Sequence, residues 1–105
     1  MALTRDFKDT VVCRVQNDPA FALALYDEAA SLFFQGEPEA ARLILRDLVN
    51  ATVGFNRIAQ LVQIQDKSVQ RMLSKDGNPT MNNLSTIFGV LRQELNISKL
   101  EITVQ

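Results

Sequence analysis

Seven side chains between Gln65 and Lys75 could do chemistry together: Gln65, Asp66, Lys67, Ser68, Gln70, Arg71 and Lys75. Gln and Arg carry the donor and acceptor pairs that read base edges in a DNA groove, and Lys and Ser commonly hold phosphates. Asp66 has two readings: it can cap a helix that starts beside it, where the helix dipole favours an acid, or accept from a cytosine amino group. The chemistry is recognition rather than bond making. The chain has no histidine, so the usual general base and the commonest zinc ligand are absent. Its carboxylates are scattered and no motif pairs them. Lys75-Asp76-Gly77-Asn78-Pro79 contains a glycine but lacks the strand-loop-helix context of a phosphate-binding loop, and reads as a turn. No catalytic residue, metal site or cofactor is expected, and the chain is not expected to be an enzyme.

Those residues need a scaffold. Phe55 to Ser74 reads as two short helices separated by short polar residues. Helices that cross steeply need a small residue at the crossing, which Ala59 supplies. They need an apolar plug after the turn, Ile64, and an apolar inner face on the second helix, Val69 and Met72. The outer face of the second helix is then free to enter a major groove, which is wide enough to admit a helix. The turn of such a motif usually carries Gly four residues after the small residue, and here that position is Gln63. A plain helical hairpin in an all-α core shares this periodicity.

The flanking elements are also helical in pattern. Phe7, Val11, Val12 and Val15 predict a short helix over residues 5–16. Asp18-Pro19 is an N-cap followed by a first helical residue, and opens a helix to about Gln35 with Phe21, Leu25, Leu32 and Phe33 as its stripe. Gly36 can end it in the left-handed conformation. From Pro38, the residues Ala41, Ile44, Leu45, Leu48 and Val49 mark an amphipathic helix. Thr80 caps a last helix with Leu84, Ile87, Phe88, Leu91 and Leu95 as its stripe, ending over residues 96–99. Residues 100–104 alternate apolar and β-branched side chains with polar ones, which predicts a short strand. A lone strand leaves its backbone unpaired, so this one could pair with a symmetry mate in a dimer.

The 105 residues suit one domain. Residues 1–54 carry five basic and eight acidic side chains, a net −3, whereas residues 55–75 carry four basic and one acidic, a net +3. Positive charge is concentrated on the two-helix stretch, a modest footprint for a polyanion. No apolar run approaches the roughly 20 residues that span a bilayer, and the first six residues lack an apolar targeting core. Cys13 is a single cysteine among valines and reads as a small packed thiol. A cytoplasmic location with no membrane partner is expected.

"GEPEAARLILRDLVNATVGFNRIAQ" together with "KSVQRMLSKDGNPTMNNLSTIFGVLRQEL" resembles the addiction-module antidote proteins, Xre-type antitoxins of the lambda-repressor-like class. "RLILRDLVNATVGF" and "RMLSKDGNPTM" carry the resemblance most specifically. It implies an all-α, lambda-repressor-like helix-turn-helix bundle. Residues 1–36 would be an extension with extra N-terminal helices, residues 37–96 the DNA-binding core with its motif at 55–74, and residues 100–104 the C-terminal strand. It further implies a homodimer that represses its own promoter on double-stranded DNA and neutralises a RelE-type toxin from the neighbouring gene. Asp66, Lys67 and Arg71 then fall where related repressors touch bases, and Gln65 and Ser68 where they touch bases or phosphate. A stand-alone Xre-type regulator and a helical protein-interaction module are the alternatives. The acidic balance of residues 1–36 would suit a basic toxin, or the segment only extends the core.

Overall fold

The computed structural model describes the backbone of residues 17–103 and the side chains of residues 17–96. The helix expected over residues 5–16, and Cys13 within it, lie outside the described residues.

Among the described residues five helices follow one another: α1 (Pro19–Phe34), α2 (Pro38–Ala51), α3 (Phe55–Val62), α4 (Asp66–Met72) and α5 (Met81–Thr103). The described chain is all-α. None of these helices is long and apolar enough to cross a membrane.

Helix α1 starts where its cap dictates. The Asp18 Oδ1 accepts from the backbone N–H groups of Ala20 and Phe21 at 3.1 and 3.2 Å, and Pro19 occupies the first turn. Its end is closed by a left-handed Gly36 (φ +83°), with Gly36 N–H donating to Phe33 O and Glu37 N–H to Leu32 O. The residues it buries fully are Ala22, Leu23 and Ala29, while Phe21, Leu25 and Phe33 are partly buried against the same core. The expected stripe was therefore rotated. Helix α1 is apolar on most sides, and periodicity does not single out one face of such a helix.

Helix α2 buries Ala41, Leu45, Leu48, Val49 and Ala51, and α5 buries Leu84, Ile87, Leu91 and Leu95. Apart from Ala41, these meet Ala22, Leu23 and Ala29 of α1 and the inner faces of α3 and α4 in one apolar cluster. Among the described residues no polar or charged residue is buried.

The C-terminal strand is corrected. Helix α5 runs through residues 96–99, and 100–103 are its last turn; Val104 lies outside the described residues. No Pro interrupts this stretch, and Asn or Ser in a helix costs at most about 0.7 kcal/mol each. A five-residue alternation is a weak signal beside a helix that is already propagating. A strand would also need a partner, and no other strand exists among the described residues.

Candidate nucleic-acid interface

Helices α3 and α4 pack on one another across a three-residue connection. The turn depends on Gln63, which holds the left-handed conformation (φ 60°, ψ 42°) and is the single non-glycine with positive φ among the described residues. This is the position at which a helix-turn-helix usually carries glycine. The backbone conformation is kept without glycine, and Ile64 N–H donates to Ala59 O at 3.1 Å across the turn. Left-handed residues other than Gly cost roughly 1–2 kcal/mol, and the packing on both sides offsets this. Ala59 is 8% exposed at the crossing, Val69 is fully buried, and Ile64 and Met72 are partly buried against the core. Leu73, the C-cap residue of α4, is as deeply buried as Val69 and completes the inner face.

The polar residues are distributed as follows. Gln65 is the N-cap residue of α4, exposed and extended, and its side chain makes no capping bond. Asp66 sits in the first turn, where the helix dipole favours it, but its carboxylate does not cap the helix. It accepts instead from the side-chain amide of Gln70, one turn on. The capping reading of Asp66 is thereby corrected to a side-chain pair on the outer face. Lys67, Gln70 and Arg71 are exposed, while Ser68 is partly buried. Lys75 is exposed but lies beyond the end of α4, in the turn before α5, rather than on its helical face.

Three features of the support were not visible in the sequence. Arg42 of α2 reaches the end of α4, where its Nε donates to the carbonyl oxygen of Ser74 at 3.3 Å and its Nη2 to that of Lys75 at 3.1 Å. No sequence signal marks such a contact, because the acceptors are backbone carbonyls more than thirty residues away. Gly77 is buried against α4, and a Cβ there would collide with the carbonyl oxygens of Arg71 and Met72. The turn composition marked the turn but not this close approach. Arg57, counted in the basic stretch, pairs with Glu94 of α5 at 3.0 Å and ties α3 to that helix. The exposed cations beside the outer face of α4 are thus Lys67, Arg71 and Lys75.

The arrangement presents the polar face of a short helix whose other face is packed on the core. Comparison with protein-family models, with curated proteins and with solved structures finds no match to this chain. A functional reading therefore rests on the geometry of α3 and α4 and on the sequence resemblance.

Proposed function

We propose that this protein is a sequence-specific DNA-binding repressor of the lambda-repressor-like, Xre-type class, acting in the cytoplasm as the antitoxin of a toxin–antitoxin operon. The observation that carries the DNA reading is the two-sidedness of α4. Its inner residues Val69 and Leu73 are fully buried, and its outer residues Lys67, Gln70 and Arg71 are exposed. A helix held this way can enter a major groove without disturbing the core behind it, and carries two residue types that contact base edges and one that contacts phosphate.

The antitoxin role is supported by the resemblance of residues 36–60 and 67–95 to addiction-module antidotes. It implies a RelE-type toxin as partner and a homodimer on the operator. The net −3 of residues 1–54 suits a basic ribonuclease as the bound toxin.

The test is a mobility shift of the purified full chain against the DNA upstream of its own reading frame, with and without the product of the adjacent frame. Specific binding that the neighbour strengthens or dissolves supports the whole reading. Specific binding indifferent to the neighbour replaces it with a stand-alone regulator. Absence of binding under both conditions leaves a helical interaction module and overturns the proposal.

A further inference from the structure

Two cations among the described residues are bound to acids, Arg57 to Glu94 at 3.0 Å and Arg92 to Asp27 at 3.1 Å. The others with described side chains, Arg42, Arg46, Lys67, Arg71 and Lys75, make no ion pair. Lys67 and Arg71 are on α4, and Lys75 follows it. Arg42 and Arg46 stand four residues apart on α2, and so on one face of that helix, with their Cβ atoms about 5–6 Å apart. Arg42 shows what that face meets. Its guanidinium lies on the carbonyl oxygens of Ser74 and Lys75, just past α4. Carbonyl oxygens hold a guanidinium in place without cancelling its charge. Arg46, one turn further along, is partly buried and makes no hydrogen bond among the described residues. Glu39 and Asp47 share the helix, but neither lies within ion-pair distance of it.

We infer that Arg46 is a phosphate-binding residue that, with Lys75, holds the DNA backbone beside the C-terminal end of α4. The inference rests on the DNA reading of α4 given above and adds a contact from a second helix. A helix with its side chains is about 10–12 Å across, and the major groove it would enter is about 12 Å wide with phosphates as its walls. A cation just past the end of that helix, or on the element packed against that end, therefore meets a wall rather than a base edge. Lys75 is the first kind and Arg46 the second. The planar fork of a guanidinium matches phosphate oxygens, and the head of Arg46 has no acid to compete for it. Its partly buried stem keeps the head near α2. Arg46 thus contributes affinity and register but no sequence preference, because a phosphate contact is the same at every base pair.

The experiment titrates the full chain, over a series of salt concentrations, with the duplex from upstream of its reading frame and with an unrelated duplex of equal length. Wild type is compared with Arg46→Gln, Arg46→Lys and Arg92→Gln. Glutamine keeps part of the stem and drops the charge; Arg46→Met replaces it if circular dichroism shows that Arg46→Gln does not fold. Arg92→Gln removes the same charge from a side chain bound to Asp27. The expected result is that Arg46→Gln weakens both duplexes alike, by about 3–10-fold, and makes the slope of log K against log salt shallower by about 0.9. Arg46→Lys should keep the slope, since an ammonium still holds phosphate as a point charge. Arg92→Gln should leave affinity and slope unchanged. A wild-type slope in Arg46→Gln would overturn this inference alone. So would an equal change from Arg92→Gln, which would reduce the effect to net charge, or a loss confined to one duplex, which would make Arg46 a reader of bases. A wild type that binds neither duplex would overturn the DNA reading of α4, and this inference with it.

Discussion

Arg42 holds the carbonyl oxygen of Ser74 from another helix, 3.3 Å from its Nε, and so fixes the chain just after α4. A second bond to the Lys75 carbonyl makes the contact a fork. Arg42→Ala should lower the free energy of unfolding by about 1–2 kcal/mol, the usual range for hydrogen bonds to a charged group discounted for partial exposure. It should also weaken operator binding, because α4 loses a brace at its C-terminal end. Arg42→Lys should recover only part of both losses, since an ammonium lacks the planar fork. Urea unfolding and DNA titration on the same three proteins check this, and a loss of stability with unchanged affinity would remove Arg42 from the positioning of α4.

Gln63 occupies a glycine conformation. Gln63→Gly should raise stability by about 0.5–1 kcal/mol, the relief of left-handed strain less the extra chain entropy that glycine loses on folding. Gln63→Val should lower it by more than that, because a β-branched residue tolerates positive φ worst. The denaturant midpoints of the two variants should therefore move in opposite directions.

Asp66 orients Gln70. Its carboxylate takes one N–H of the Gln70 amide, which leaves the other N–H and the carbonyl oxygen for a partner. That donor–acceptor pair matches the major-groove edge of adenine, a contact worth about 1–3 kcal/mol of discrimination. If α4 binds DNA as proposed, Asp66→Ala should strengthen binding to all duplexes slightly, by removing an acid from a surface that would meet phosphates, and should flatten discrimination at the base pair that Gln70 would read. A panel of single-substitution operators measures both effects. Unchanged discrimination would return Asp66 to a role in folding alone.

Burial pushes the Tyr26 phenol above its ordinary 10.0, with Arg92 acting to lower it and Asp27 to raise it in smaller measure. The folded protein holds this proton more tightly than the unfolded chain does. The associated stability is complete below about pH 10 and falls as the pH rises through the folded value. Unfolding free energy should decline over that alkaline window, and Tyr26→Phe should reduce the slope while costing the hydrogen bond to Phe88 O.

Local signals that belong to one residue or one helix were legible before the structure. Asp18-Pro19 capped α1, Thr80 Oγ1 accepts from Asn83 N–H at the start of α5, and of the expected stripe Leu84, Ile87, Leu91 and Leu95 are buried and Phe88 partly so. Of the four residues the spacing marked in α3, the turn and α4, Ala59 and Val69 are buried, and Ile64 and Met72 are partly buried. Signals that compete were misread. The strand over residues 100–104 lost to the cooperativity of a helix already formed, and the stripe of α1 could not be chosen while most of its faces were apolar. Contacts between a side chain and a distant backbone left no trace: Arg42 and Gly77 needed the fold before their roles could be seen. The exposure of Phe34 was hidden because its neighbour Phe33 is partly buried in the core and the two look alike in sequence.

Whether the outer face of α4 reads DNA is decided by titrating a duplex from upstream of the reading frame with wild type, Lys67→Ala and Arg71→Ala at two moderate salt concentrations. Wild type should bind saturably, and more weakly as salt rises, because binding releases counterions. Arg71→Ala should cost roughly 1–3 kcal/mol and relax the preference at one base pair, whereas Lys67→Ala should weaken either one base pair in the same way or all sequences alike with a shallower salt slope. Folded variants that bind this duplex as tightly and as selectively as wild type, or a wild type that does not bind it, would show that the outer face of α4 does not read this DNA.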